Sequence, residues 1–293
     1  MAQITGKITK EGGILNINHD DTLFGTPSDD TIDALSGNDT IYAGAGTDTV
    51  RAGAGNDTIW ATSVGNRGVV GAWGNDTVYG GAGVDHINYA MTTNSVTLYG
   101  DDTTLGSADG DDTIYGGSGA DMISGGGGHD WLEGGANNDV IYGDIDSGRT
   151  TSGGGNDTLL GGAGSDSLYG GGGFDTFAYR SGDSAATYAG SDVIKDFASF
   201  YDSIWFIGGA PAATSNNYLE DTIAPSSGNM SKDFNAAAAY ASEMLHFKDY
   251  VFLTNGTQGY LFADVNHDGT ADYGMELKGL TALSSFSYAD ILT

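Results

Sequence analysis

The chain has 293 residues, with 50 glycines, 3 prolines and no cysteine. Its 39 acidic and 10 basic residues leave a formal charge of −29, which disfavours nucleic acid and anionic membranes as partners. The lack of cysteine excludes disulfides, thiolate zinc sites and cysteine nucleophiles. No apolar run reaches membrane-spanning length, and the first residues lack the apolar stretch of a cleavable signal peptide.

Residues 1–24 precede the first clear repeat. Two apolar runs, Ile4–Ile8 and Ile14–Asn18, flank Glu11, Gly12 and Gly13. This pattern predicts a small hairpin that acts as an N-terminal β cap.

A nine-residue period begins at Gly25, with glycines in its first half and Asp-x-hydrophobic-x in its second. It slips near residues 61–70 and resumes at Gly71. Two degenerate units follow, in which Asn94 and Thr103 replace the aspartate, and a spacer covers 143–151. The in-frame aspartates are Asp30, Asp39, Asp48, Asp57, Asp76, Asp85, Asp112, Asp121, Asp130, Asp139, Asp157, Asp166 and Asp175.

This nonapeptide resembles the RTX, or haemolysin-type calcium-binding, repeat over Gly25–Ala178. The resemblance implies an all-β fold, a right-handed parallel β-roll. In such a roll the glycine-rich half is a turn, the hydrophobic half is a short strand, and two nonamers complete one coil. It also implies calcium ions between the turns of neighbouring coils.

The physical chemistry of the repeat agrees with this fold. Glycine tolerates the positive φ and close approach that a tight turn needs. In a three-residue strand the central Ile, Leu or Val points inward and predicts a thin apolar core. Aspartates in stacked turns repel each other by about 1–4 kcal/mol per pair unless a cation neutralises them. Calcium accepts many oxygen ligands in irregular geometry and fits better than magnesium.

Aspartates two repeats apart are expected to face each other and to share an ion, while Asp76, Asp85 and Asp166 lack an in-frame mate. With six such sites, calcium at ten times its dissociation constant adds roughly 8 kcal/mol, so calcium is expected to switch folding on. The predicted pairs are Asp30–Asp48, Asp39–Asp57, Asp112–Asp130, Asp121–Asp139, Asp139–Asp157 and Asp157–Asp175.

Residues 179–293 are predicted to form a C-terminal β-rich cap with one helix. Gly190–Phe206 resembles the segment that closes the roll in serralysin-type proteases and alginate epimerase modules, which makes Asp192, Asp196 and Asp202 candidate metal ligands. Ser231–Phe247 is the predicted helix, with Ser231 as its N-cap. Tyr250–Leu277 is predicted to form strands around Asn-Gly and Asp-Gly turns.

Two short C-terminal motifs have separate interpretations. Asp264, Asn266 and Asp268 begin like an EF-hand loop, but Met275 replaces the glutamate of the twelfth position, so a plain hairpin turn is favoured over a calcium site. The last residues, Asp290–Thr293, resemble the uncleaved signal of type I secreted proteins. Together with the repeats they predict an extracellular or cell-surface location and type I secretion machinery as a partner.

No enzyme is predicted. Neither H-E-x-x-H nor G-x-S-x-G occurs, and only 24 residues precede the repeats. His129 is expected to be a solvated turn residue.

One sheet is expected to carry aromatic residues on its outer face. The predicted series is Tyr42, Trp60, Tyr79, Thr97, Tyr115, Glu133, Thr151 and Tyr169, with Trp131 beside it. Simple strand packing is the favoured interpretation. The alternative is a surface for polysaccharide or self-association, formed by Tyr42, Trp60 and Tyr79.

The sequence therefore predicts a secreted, non-catalytic calcium-binding protein that acts in adhesion, polysaccharide binding or self-assembly, as surface-layer proteins do. Two alternatives stay open. One is an accessory folding and secretion module for a partner activity, and the other is a pore-forming toxin, which the lack of long apolar helices disfavours.

Overall fold

The computed structural model describes residues 20–26, 28, 30–34, 37–43, 49–51, 58–60, 67–70 (backbone only), 75–81, 83–101, 110–144, 154–208, 210–225 and 229–292. The predicted N-terminal hairpin, together with Asp48, Asp57, Thr103 and Thr151, lies outside these residues.

Short strands follow one another along most of the chain and are joined by turns. In chain order they are β1 (Thr22–Phe24), β2 (Thr31–Asp33), β3 (Thr40–Tyr42), β4 (Thr49–Arg51), β5 (Thr58–Trp60), β6 (Arg67–Val70), β7 (Thr77–Tyr79), β8 (His86–Asn88), β9 (Thr97–Tyr99), β10 (Thr113–Gly117), β11 (Met122–Gly126), β12 (Trp131–Ala136), β13 (Val140–Asp144), β14 (Thr158–Ala163), β15 (Ser167–Tyr169), β16 (Thr176–Tyr179), β17 (Asp192–Ile194) and β18 (Ser203–Phe206).

These strands alternate between two sheets. The odd-numbered strands pair in parallel to form sheet A, and the even-numbered strands form sheet B in the same way. The central residue of each strand points between the sheets, as Ile41, Ile59, Ile114 and Leu132 do, with no exposed surface. The alternation confirms the predicted parallel β-roll with a thin apolar core.

The C-terminal region closes one end of the roll, as predicted. Its strands are β19 (Tyr218–Thr222), β20 (Tyr250–Thr254), β21 (Gln258–Ala263), β22 (Tyr273–Lys278) and β23 (Ile291–Leu292). Sheet A continues from β17 through β22, β21 and β20 to β19, and β23 extends sheet B beside β18.

Helix α1 (Met230–Met244) lies on β20 and β21, where Phe234, Ala237 and Ala241 are buried. Its N-cap is Asn229, whose side chain accepts a hydrogen bond from the Lys232 backbone N–H. The prediction of Ser231 as N-cap was wrong because the helix begins one residue before it.

The roll extends past both predicted boundaries, Gly25 and Ala178. Strand β1 pairs with β3 in the repeat register, and Asp21 precedes it as an aspartate precedes the other strands. At the other end, β17 and β18 continue the two sheets after Ala178.

The predicted frame is wrong between Asn88 and Thr113. Eight residues, 89–96, join β8 to β9, whereas six residues, 43–48, join β3 to β4. A turn in which the Thr92 N–H donates to the Tyr89 carbonyl accommodates the longer link. Val96, not Asn94, therefore occupies the aspartate position, and Tyr99, not Thr97, follows Tyr79 in the outward-facing series of sheet A. The same shift puts Tyr115, Trp131 and Glu133 on sheet B.

Candidate metal centres

Two rows of buried aspartates line the two edges of the roll, each residue one position before a strand or at its start. They are buried because the tight turns fold the carboxylates back against the neighbouring coil. Row A, before the strands of sheet A, contains Asp21, Asp39, Asp76, Asp121, Asp139, Asp166 and Asp192. Row B, before the strands of sheet B, contains Asp30, Asp85, Asp112, Asp130, Asp157, Asp175 and Asp202.

From Asp112 onward, one oxygen of every row carboxylate accepts a backbone hydrogen bond from the neighbouring coil and so bridges two coils. Asp130 Oδ1 accepts from the Asp112 N–H at 2.8 Å, and Asp157 Oδ1 accepts from the Asp130 N–H at 2.9 Å. Row A repeats the pattern, with Asp139 Oδ1 accepting from the Asp121 N–H at 2.8 Å. Each aspartate thus fixes the turn before it in the row.

Among the described residues, the second carboxylate oxygen, Oδ2, of most row aspartates is buried without a hydrogen-bond donor. Within the described part of the chain, the buried Oδ2 atoms without a hydrogen-bond partner include those of Asp112, Asp121, Asp130, Asp139, Asp157, Asp166, Asp175 and Asp192. A buried carboxylate oxygen left in this state is costly, so these atoms point to a missing cation.

The turn glycines bring backbone oxygens to the same points. A Cβ built on Gly125 would lie 2.1 Å from Asp130 Oδ2 and 2.6 Å from the Gly143 carbonyl oxygen of the next coil. At Gly134 the corresponding distances are 2.3 Å to Asp139 Oδ2 and 2.6 Å to the Gly161 carbonyl oxygen. Glycine therefore leaves room in which a carboxylate and a carbonyl oxygen converge.

The rows strongly perturb acid ionisation. Burial, with repulsion from neighbouring row aspartates, raises the pKa of Asp112 to about 10 and that of Asp130 to about 9 from 3.8. The same causes raise the pKa values of Asp139 and Asp157 to about 8. Such carboxyl groups are neutral near pH 7 unless a cation replaces the proton.

These oxygens fit calcium. Calcium is a hard cation that takes carboxylate and carbonyl oxygens together, and it tolerates the irregular geometry of a turn. Among the described residues, no three acidic, histidine or cysteine side chains gather at one point, so carbonyl oxygens would complete each shell. The fold and the rows define a calcium-binding parallel β-roll.

A comparison with protein-family models supports this class. The RTX calcium-binding nonapeptide repeat matches residues 18–50, 69–89, 98–132, 106–141, 115–148 and 151–177. Residues 18–177 are therefore a region of RTX calcium-binding repeats, which bind several calcium ions.

Two further comparisons add less. The search of curated proteins gave no match. Among solved structures, the chain is similar to the AlgE6R3 subunit of the mannuronan C5-epimerase from Azotobacter vinelandii, with 22% identity. The alignment covers 70% of this chain and 82% of that subunit, with a TM-score of 0.35.

The structure confirms some predicted aspartate neighbours and corrects others. Asp112 and Asp130, Asp121 and Asp139, and Asp157 and Asp175 are hydrogen-bonded neighbours, as predicted. Asp139 neighbours Asp166, not Asp157, because the row of Asp157 lies on the other edge. The pairs that include Asp48 or Asp57 lie outside the described residues.

Two aspartates without a predicted mate have one. The Asp85 N–H donates to Asp112 Oδ1 at 2.8 Å, and the Asp166 N–H donates to Asp192 Oδ1 at 2.9 Å. Asp76 has no acidic neighbour on the following coil, where Val96 occupies the equivalent position. The prediction that these residues lack a mate was therefore wrong for Asp85 and Asp166. For Asp76 it agrees with the structure on the side of the following coil.

The three candidate ligands of the cap differ from one another. Asp192 extends row A, and its Oδ2 lacks a partner within the described residues. Both oxygens of Asp202 accept hydrogen bonds, from the Asp175 and Ala198 N–H groups. Asp196 accepts from the N–H groups of Gly170 and Gly171, so it caps a turn.

Sequence reasoning missed Asp21, Asp101 and Asp144. Asp144 pairs in register with Gly126 of the preceding coil, whose φ is +116°. Asp144 does not adopt a positive φ, so the backbone turns differently there from the glycine turn of the other repeats. Its Oδ2 accepts from the Gly172 N–H at 2.7 Å. The available signal is Tyr-Gly-Asp in place of Tyr-Gly-Gly, immediately before each long link.

Two further predictions concern one residue, His129, and one loop, Asp264–Asp272. His129 is an exposed turn residue, as predicted, and its Nδ1 accepts from the Asn156 N–H at 2.6 Å. Strands β21 and β22 form the predicted antiparallel hairpin around Asp264–Asp272. Inside that loop Asp264 Oδ2 accepts from the Gly269 N–H at 2.8 Å, which is expected of a turn.

The outer face of sheet A carries the predicted Tyr42, Trp60 and Tyr79, and Phe24 and Tyr99, which were not predicted, extend the series at its two ends. The aromatic stripe consists of Phe24, Tyr42, Trp60, Tyr79 and Tyr99, and the threonine stripe beside it of Thr22, Thr40, Thr58, Thr77 and Thr97. Phe24 and Tyr42 are exposed and the other rings are half-buried. The aromatic stripe ends at the buried Ser124 of β11.

Proposed function

We propose that this chain is a secreted, non-catalytic calcium-binding protein that folds when it meets extracellular calcium. It then acts at the cell surface or in the matrix, by adhesion, polysaccharide binding or self-assembly. The observation that carries the proposal is the set of buried Oδ2 atoms that face backbone carbonyl oxygens. Where calcium is scarce, these groups oppose folding, and where it is abundant they bind the ion that joins the coils.

The same residues support a non-catalytic role. The row carboxylates already hold the turns through Oδ1 and would hold calcium through Oδ2, so they are not available as acid–base pairs. His267 is exposed on a loop and lies 3.0 Å from Asp249, in a pair that includes no nucleophile. No helix in the described part of the chain is long and apolar enough to cross a membrane.

Far-ultraviolet circular dichroism tests the folding step. The full-length protein in excess chelator should lack the β-sheet spectrum and gain it cooperatively as calcium is added, with magnesium at equal concentration as the control. A complete β-sheet spectrum in chelator would contradict the proposal.

Fractionation of the producing culture, with a cytosolic marker as control, tests secretion, because a secreted protein should accumulate in the medium.

A further inference from the structure

The rings of the aromatic stripe stack on one another. Phe24 and Tyr42 have ring centroids 5.0 Å apart, Trp60 and Tyr79 4.2 Å apart, and Tyr79 and Tyr99 5.0 Å apart, with interplanar angles of 5° to 10°. Within these three pairs, the ring faces that meet are covered by the neighbouring ring. A ligand that lies along the stacked pairs would therefore meet ring edges more than ring faces, and the stripe also contains three tyrosine hydroxyls and the Trp60 indole.

The two stripes form a surface without charge in a chain that has a formal charge of −29. Their ten residues are phenylalanine, tyrosine, tryptophan and threonine, with no aspartate, glutamate, lysine, arginine or histidine among them. The outer face of sheet B is different, because it carries Asp33 and Arg51 and the ion pair between Glu133 and Arg180, whose N–O distance is 2.6 Å. The lack of charge is thus a local property of sheet A.

The dimensions of this surface argue against a second copy of the chain. Four strand spacings of about 4.8 Å make it about 19 Å long, and the two stripes lie only about 7 Å apart along each strand. A stable protein interface buries about 800 Å² per partner, several times this area. Two copies would also bring their acidic edges together. A narrow, extended polymer matches the surface better than a globular partner does.

We infer that the aromatic and threonine stripes bind a linear, uncharged polysaccharide lengthwise along the roll. Hydroxyl groups repeat along such a polymer, and the stripes offer threonine hydroxyls, tyrosine hydroxyls and apolar ring edges at each strand. The inference names the ligand class of the surface role proposed above and rests on that role. Calcium acts indirectly, because it stabilises the roll that holds the stripes in register.

Affinity electrophoresis in calcium tests the inference. The probes are hydroxyethyl cellulose, arabinoxylan and galactomannan, with polygalacturonate as the charged comparison. At least one neutral polymer should retard the protein. Replacing Tyr42, Trp60 and Tyr79 together by threonine should weaken that retardation roughly tenfold or more, since aromatic side chains commonly carry a large share of the binding free energy where they line a site.

The matched control is Tyr142→Thr with Tyr169→Thr. These two rings also stack on sheet A, at 4.6 Å, but they lie beyond Ser124 and outside the stripe. The control variant should keep native retardation. A second variant, Tyr42→Phe with Tyr79→Phe, keeps the rings and removes their hydroxyls. It should weaken binding several-fold, and native binding by it would overturn the edge-and-hydroxyl contact.

Other outcomes overturn the inference and leave calcium-driven folding standing. These are no retardation by any neutral polymer, retardation by polygalacturonate alone, or equal loss in the control variant. Sedimentation velocity could reveal a further contradicting outcome. A dimer that forms with calcium and disappears in the triple threonine variant would show that the stripes bind a second copy of the chain. Failure of the proposed function looks different, because the protein would then gain no structure on addition of calcium.

Discussion

Most row aspartates use their two carboxylate oxygens for different tasks. At Asp130, Oδ1 accepts from the Asp112 N–H, and Oδ2 faces the space beside Gly125. Asparagine would retain the first task, since its side-chain oxygen is an acceptor, and would lose the negative charge that the second requires. The two tasks can therefore be separated by one substitution.

Asp130→Asn should shift the calcium midpoint of folding upward while the native spectrum is still reached at high calcium. Without calcium at pH 8 the variant should be no less structured than the native protein, because Asp130, whose pKa burial raises to about 9, must take up a proton on folding and asparagine need not. Calcium titration followed by circular dichroism measures both effects. Asp33→Asn, on the exposed face of sheet B, is the control, and an equal shift there would contradict the assignment.

The turn glycines have unequal tolerance of a side chain. Gly125→Ala should weaken calcium-induced folding markedly, because its Cβ would lie 2.1 Å from Asp130 Oδ2. Gly172→Ala should be nearly neutral, because the nearest atom to its Cβ is 3.7 Å away. Thermal unfolding in saturating calcium compares the two. Equal melting temperatures would show that the space beside Gly125 is not required.

At single positions the sequence predicted the role of an aspartate better than its neighbour on the next coil. The aspartate before each strand could be recognised from its own nonamer, because the turn and the strand are local. Its partner depends on how many residues separate two coils, and Asp139 faces Asp166 only because the link between β13 and β14 is long. Asp144, which begins that link, replaces a glycine and so lies outside the motif.

The coil is the next larger element, and its stability depends on how the row carboxyls ionise. Burial raises the pKa of Asp175 to about 7 and that of Asp121 to about 6, with larger shifts in the centre of row B. The metal-free folded roll therefore retains protons that the unfolded chain loses above about pH 4. Its stability should fall as pH rises from about 4 towards 10.

Metal-free protein should accordingly show more β-sheet structure at about pH 5.5 than at about pH 8.5, where it should remain largely unfolded. With saturating calcium the dependence should reverse, because the deprotonated carboxylates are the ligands. Circular dichroism melting curves at both pH values, with and without calcium, measure this. A metal-free roll that is more stable at the higher pH would contradict the raised pKa values.

At the scale of whole elements, the register of the roll was more predictable than its ends. Val96 shows why the middle frame failed, since a buried apolar residue in the aspartate position leaves no motif to recognise. The prediction of where the roll begins and ends failed for another reason. β1 and β23 belong to the sheets through pairing with distant strands, and long-range pairing does not follow from local residue pattern.

The whole molecule carries a formal charge of −29, which opposes compaction. Calcium neutralises charge inside the turns, whereas monovalent salt only screens it. The hydrodynamic radius in chelator should therefore exceed that of the calcium form and shrink only in part in added sodium chloride. Sedimentation velocity at several salt concentrations measures it. Full compaction by sodium chloride alone would mean that screening, not binding, holds the roll.

Asp101 and Asp144 each begin a longer link, yet strand pairing resumes in register after both. The carboxylate after Gly100 or Gly143 accepts a backbone hydrogen bond from the next coil, Asp101 from the Gly127 N–H and Asp144 from the Gly172 N–H. These contacts join neighbouring coils without using the link that follows, so we expect each link to tolerate added residues. Foreign peptides inserted between residues 102 and 109, or between 145 and 153, should leave the surrounding coils unaltered. The protein thus offers two grafting points from which a displayed sequence could be released by withdrawing a simple inorganic ion.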